Sequence, residues 1–256
     1  MIFRRLFQFL IFLHLPCILL AQSNNVFVNN WKSHPIPTAQ NAGFHKTNYH
    51  FVSLNGDAIV ASKLVDSSQS KLHFNFSPSG FKEEMTMKGN KSVIEVRNGY
   101  LIGFDNGEFG GSLYWFSRNG NQKYQISDHH VKQFYIAHDI IYAIEGIEHM
   151  GSDLGSLLLI SMIDGQWKVT NSFKLPNDPK AIGIDSKNHV IVITSAAILS
   201  INEFATSTVL DSFQNWRPKI YQKSLLIRDD VAYVGMDEGV YKFNLMSLKG
   251  DWLLPN

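Results

Sequence analysis

The chain has 256 residues with 23 lysines and arginines against 22 aspartates and glutamates, a formal charge of +1, 45% apolar residues and a single cysteine. Charge this balanced, with no basic cluster, leaves out a nucleic-acid or anionic-membrane footprint. One cysteine excludes an intrachain disulfide framework.

Met1 to Ala21 carries Arg4 and Arg5, an apolar stretch from Leu6 to Leu20, and a small residue ahead of Gln22 and Ser23. This pattern reads as a secretory signal peptide cleaved after Ala21. The apolar stretch is short for a bilayer span, and His14 and Pro16 interrupt it, so no stable membrane span is expected after cleavage. Pro16 before Cys17 also departs from a bacterial lipobox. The expected location is the periplasm if the cell is Gram-negative, and otherwise outside the cell. The mature chain would hold no cysteine, which removes thiol nucleophiles, thiolate zinc sites, iron–sulfur clusters and covalently held haem. No cofactor is expected.

Residues 22–47 form a polar, proline-containing lead, and 48–256 read as one domain. After the lead no long stretch keeps a 3.6-residue apolar period, and short apolar runs fall into groups of four. The first group is Tyr49 to Leu54, Ala58 to Leu64, Lys71 to Phe76 and Phe81 to Lys88. The second is Val93 to Arg97, Tyr100 to Phe104, Ser112 to Ser117 and Lys123 to Ser127. The third, Val131 to Ala137, Ile140 to Glu145, Ser156 to Ile163 and Trp167 to Lys174, contains the two-residue hairpin turn Asp164–Gly165. The fourth is Lys180 to Asp185, Val190 to Thr194, Ala197 to Phe204 and Thr208 to Phe213. Leu225 to Arg228, Val231 to Met236 and Val240 to Leu245 begin a fifth, completed by Trp252 to Leu254 or by Val26 to Val28 from the lead.

Within each group a short polar turn separates the first two runs: Asn55 with Gly56, Asn98 with Gly99, His138 with Asp139, Ser186 to Asn188, and Asp229 with Asp230. The turns recur every 40 to 50 residues or so, the period of a four-stranded propeller blade. On this repeat the chain resembles the β-propellers, and the resemblance implies an all-β, five-bladed β-propeller of four-stranded antiparallel blades. A β-sandwich or two small β domains is the alternative. Val231 to Phe243, a strand ending at Gly235, an acidic loop, and Gly239 opening an aromatic strand, is similar to units of the sensor propellers of bacterial two-component regulators. The Trp-Asp ending of WD40 blades and the tryptophan-docking signature of quinoprotein blades are missing, and Ser152, Asp153 and Gly155 make only part of an Asp-box.

This register places first-to-second-strand turns on one end and second-to-third-strand and interblade loops on the other. The latter gathers Asp105, Glu108 and Phe109; Glu145, Glu148, His149 and Asp153; Asp237 and Glu238; and Asp128, His129, His130, Trp216 and Arg217. Varied loops on a rigid scaffold are where binding residues collect. Partner contacts are therefore expected from Asp105, Glu108, Phe109, Glu148, His149, Trp216, Arg217, Asp237 and Glu238, with Phe109 and Trp216 as apolar anchors. The acidic character of these loops points to a basic protein.

Other chemistry is thinner. Glu145, Glu148 and His149, with His129 and His130 nearby, contain metal-ligand types but miss the inverzincin pattern at its first histidine, and no metal is expected. Ser68 and Lys71 match the Ser-x-x-Lys spacing of penicillin-recognising enzymes without the companion signatures. Five-bladed glycosidases set carboxylates from different blades around the axis, and Asp105, Glu145 and Asp237 would be the candidates for such a role. The expectation is an exported, non-catalytic protein-binding module, with a periplasmic immunity protein that neutralises an envelope-targeting toxin as its specific form. A carbohydrate-active enzyme or lectin is the alternative.

Overall fold

The computed structural model describes residues 26–38, 51–62, 72–149, 152–216 and 220–255. The signal-peptide reading at Met1 to Ala21, the Ser68–Lys71 pair and Arg217 lie outside the described residues.

Two short strands precede the repeat: β1 (Val26–Phe27) and β2 (Lys32–His34), joined through a single 3-10 turn at Val28–Asn30. A hairpin follows, β3 (Phe51–Asn55) and β4 (Ala58–Ser62), then one turn of α-helix, α1 (Phe81–Thr86). The second sheet contains β5 (Asn90–Val96), β6 (Gly99–Asp105), β7 (Gly111–Ser117) and β8 (Lys123–Ser127). The third is built from β9 (Val131–Ala137), β10 (Ile140–His149), β11 (Ser152–Ile163) and β12 (Gln166–Leu175). The fourth comprises β13 (Pro179–Ile184), β14 (Val190–Thr194), β15 (Ala197–Ile201) and β16 (Ser207–Ser212). β17 (Gln222–Arg228), β18 (Val231–Met236), β19 (Gly239–Asn244) and β20 (Lys249–Leu254) form the fifth. Sheets two to four are four-stranded antiparallel meanders in chain order, and the protein is a five-bladed all-β propeller. No strand pairing joins one blade to the next among the described residues.

Turn chemistry sets these registers. His138 and Asp139, like Asp229 and Asp230, have positive φ at both central positions, as do Asp164 and Gly165. That is the type I′ geometry whose twist matches a tight hairpin, and aspartate tolerates it better than branched residues. Asp230 does more than turn the chain: its carboxylate accepts the Ser186 backbone N–H at 3.0 Å and hydroxyl at 2.7 Å, linking blade five to blade four.

The first blade departs from the expected plan. Phe81 to Lys88 was to be its outer strand, but Lys82, Glu83, Glu84 and Met85 are strong helix formers without strand alternation, and they make α1 instead. The Glu83 carboxylate accepts the Ser79 N–H at 2.7 Å, satisfying a donor near the helix start. Residues 72–76 alternate apolar side chains as a strand would, yet no strand pairing involves them among the described residues; Leu72, Phe74 and Phe76 pack against blade two. Phe74 meets Tyr100 at 5.7 Å between ring centres, and Phe76 meets Phe116 at 4.9 Å. This segment and Met87 cover Ile102, Phe104 and Tyr114, the blade-two surface that a neighbouring blade would otherwise bury.

The lead also differs from expectation. Val26 and Phe27 pair with Ala61 and Val60 in blade one, not with blade five. Lys32 to His34 pairs with Leu254 to Trp252 and adds a fifth strand outside β20. The connecting residues Val28 and Trp31 are buried with Val52, Ile59, Tyr233, Val240 and Leu253, so the lead holds the first and last blades together. Three further apolar clusters fill the contacts between blades two and three, three and four, and four and five. Burial of each large apolar side chain there contributes roughly 1.5–3 kcal/mol.

Candidate functional site

The first strands of all five blades, β3, β5, β9, β13 and β17, surround a central cavity of about 670 Å³. That volume suits one small ligand or an inserted side chain. Cross-links between inner strands shape its wall: the Ser92 hydroxyl donates to the Lys132 carbonyl, and the Val52 N–H donates to the Ser224 hydroxyl at 2.9 Å.

Lys132, Lys180 and Lys223 line the cavity near the starts of β9, β13 and β17. In each strand this lysine is the residue skipped in pairing with the second strand of its blade. The register passes from Gln133 to Val131, from Ala181 to Pro179, and from Ser224 to Gln222. The inner strands of blades one and two pair without interruption. A β-bulge leaves its extra residue out of the ladder and re-aims the side chain.

Around the lysines lies a buried polar network. Asp178, fully buried, accepts from Lys132 Nζ at 2.5 Å and Lys180 Nζ at 2.7 Å. Asp153 fixes that carboxylate by accepting the Asp178 N–H at 2.5 Å, the Asn177 amide at 2.9 Å and the Ser195 hydroxyl at 2.8 Å. Burial pushes the Asp153 carboxyl up, but those hydrogen bonds and the Lys180 charge bring it below its ordinary range. Gly146 is required beside them, since a Cβ there would stand 2.2 Å from Asp178 Oδ1 and 2.7 Å from the Leu154 carbonyl. Lys223 Nζ stands 3.8 Å from Asp237 and 5.4 Å from the centre of the Tyr221 ring.

A second network joins blades two and three. His129 Nδ1 lies 2.8 Å from Glu145 Oε2, which also accepts the His130 N–H at 3.1 Å. The Glu145 hydrogen bond raises the His129 imidazole above its usual value against the opposing effect of burial. Burial pushes Glu145 up, but His129, the His130 N–H and Ser156 together lower it. His130 Nδ1 is 4.0 Å from Asp105, too far for a hydrogen bond.

The residues anticipated as partner contacts separate into distinct environments. Glu108 and Phe109 are exposed on the 3-10 turn Gly107–Phe109, with Phe109 at 78%, while Asp105 turns back to accept the Gly107 N–H at 3.0 Å. Trp216 packs at 5.0 Å from Phe213, 4.7 Å from Tyr241 and 5.8 Å from Trp252, inside the aromatic cluster of blades four and five. Asp237 engages Lys223, and Glu238 is buried. The backbones of Glu148 and His149 extend the β10–β11 hairpin, pairing with Asp153 and Ser152; their side chains lie outside the described residues. Among the described residues no three His, Cys, Asp or Glu side chains come together as a metal-ligand group. The three lysines and Asp178 escaped the sequence reading, although a lysine second in the inner strand recurs in four consecutive blades, at Lys91, Lys132, Lys180 and Lys223.

No protein-family model matches the chain, and no curated protein does. Among solved structures it is similar to one described as a gluconolactonase, with 10% identity, TM-score 0.39, and 65% of this chain and 74% of that chain covered. A bifunctional GH43-CE protein of Bacteroides eggerthii shows 9% identity and TM-score 0.36 over 62% of this chain and 25% of the other. Virginiamycin B lyase from Staphylococcus aureus shows 15% identity and TM-score 0.34 over 63% and 68%.

Proposed function

We propose that the protein is an exported, non-catalytic binding module that receives a protein partner on the end where its second-to-third-strand loops meet the cavity mouth. The observation that carries this reading is exposed apolar surface on the second-to-third-strand loops of two neighbouring blades. Phe109, on the loop of blade two, and Leu154, on the projecting hairpin of blade three, are 78% and 65% exposed. The turn carrying Phe109 sits against β10 of that hairpin. Exposed apolar residues beside a polar rim are the usual anchors of an interface.

Two of the carboxylates that a glycosidase would need are engaged elsewhere, Glu145 with His129 and Asp105 with its own loop. Export rests on the Met1 to Ala21 pattern, and the immunity-protein form is the specific case of this binding role. Apolar residues such as Leu54, Phe204 and Met246 are also exposed at the opposite, tight-turn end, so the test must separate the two ends.

The test is affinity purification of the mature protein from its own cells, with wild type beside Phe109→Asp, Leu154→Asp and Phe204→Asp. One stoichiometric protein lost in the first two variants and kept in the third supports the reading, with melting temperatures unchanged in all. Recovery that depends on Phe204 alone, or hydrolysis of an arabinan or xylan panel that is lost in Asp105→Asn or Asp237→Asn, overturns it.

A further inference from the structure

We infer that the central cavity is a binding site for a small multivalent anion, a molecule carrying two or more carboxylate or phosphate groups, gripped by Lys132, Lys180 and Lys223. This goes beyond the protein-binding role and does not depend on it.

Three observations converge. The lysines occupy the same position on three consecutive inner strands, and each is the extra residue of a β-bulge. A single bulge is a common irregularity; three on neighbouring inner strands, each placing a lysine on the wall of one cavity, constitute a built feature. Second, all three side chains keep solvent access, at 24%, 18% and 40% exposure, although they sit within a wall of packed strands. Third, the Asp178 carboxylate is divided between two ammonium groups, whereas Lys223 meets Asp237 only at 3.8 Å. Asp178 thereby acts as an internal competitor: it holds Lys132 and Lys180 in place and competes with an entering anion.

The chemistry selects the ligand class. Lysine is a compact charge with three rotatable donors, able to contact oxyanions of varied geometry. Three such charges around a cavity favour a ligand that meets them together, because one multivalent molecule pays the cost of association once. Ser92 and Ser224, also on the cavity wall, add polar surface between the lysines. About 670 Å³ accommodates such a molecule but not a folded domain.

The test titrates the mature protein with sodium pyrophosphate and, separately, sodium citrate by calorimetry at fixed ionic strength, with chloride and glucose as comparisons. Saturable one-to-one binding of pyrophosphate or citrate, at least tenfold tighter than chloride and absent for glucose, is expected. The choice between the two ligands assigns phosphate or carboxylate as the preferred group. Lys223→Gln should weaken binding at least fivefold with little change in melting temperature, since this lysine is the most exposed. Asp178→Asn should strengthen binding at least threefold by removing the competitor. No saturable binding in wild type and Asp178→Asn, or binding indifferent to Lys223→Gln, overturns the inference.

Discussion

Asp153 of the third blade accepts the backbone N–H of Asp178 at 2.5 Å and so sets the position of a carboxylate at the entrance to the fourth. Asp178 in turn draws together Lys132 and Lys180 from the inner strands of those two blades. A buried carboxylate is costly to desolvate, and only complete pairing makes it tolerable. Here the pairing is met by side chains from both blades, so the network fixes their relative position.

Removing Asp178 therefore tests a joint between blades. Asp178→Ala leaves Lys132 and Lys180 without their shared acceptor, and because both lysines retain some solvent access they rehydrate in part. The expected loss is about 2–3 kcal/mol, below the full penalty for breaking a wholly buried pair. Urea denaturation should show the midpoint falling with the slope unchanged. A loss under about 0.5 kcal/mol would show that the network does not hold the blades.

How much of this was legible in the sequence differs by level. The blade plan was, because Asp164–Gly165 and Asp229–Asp230 demand tight hairpins and apolar alternation flanks them. Residues 72–88 were misread because alternation of Phe74 and Phe76 reports a buried face, which packing against blade two provides as well as strand pairing does. The role of Trp216 was hidden for a related reason: a tryptophan in an interblade loop looks the same in sequence whether it faces solvent or, as here, Tyr241 and Trp252. Its substitution by alanine should disturb folding rather than only remove a partner contact. The bulges were not legible, since a skipped residue changes hydrogen bonding without changing composition. Asp178 drew no notice because Lys132, one of its two partners, lies 46 residues away in the chain.

The His129–Glu145 pair makes stability depend on pH. His129 is raised from an ordinary value of 6.5, so its contribution is complete below that value and is lost as pH rises through the raised one. Glu145 is lowered from 4.5, so its contribution is present above that value and disappears as pH falls through the lowered one. Together they stabilise most between 4.5 and 6.5. His129→Gln should cost about 1 kcal/mol near pH 5.5 and clearly less near pH 8.5. Denaturation midpoints across that range, for wild type and variant, check both the sign and the window. An equal loss at both ends would mean that the imidazole acts only by filling space.

The N-terminal lead is the remaining joint, and its strength resides in side chains. β1 and β2 contribute 2 and 3 residues, too few to hold two sheets by hydrogen bonding alone. Val28 and Trp31, at 1% and 7% exposure, enter the apolar cluster between blades one and five, where Val52 and Tyr233 also lie. Trp31→Ala should therefore cost about 3–5 kcal/mol, the range for removing a buried large aromatic side chain. Ser33→Ala, on an exposed position of β2, should change stability by less than about 0.5 kcal/mol. Chemical denaturation of the two variants in parallel decides the matter. If both shift the midpoint little, packing around Trp31 is not what joins the first blade to the last.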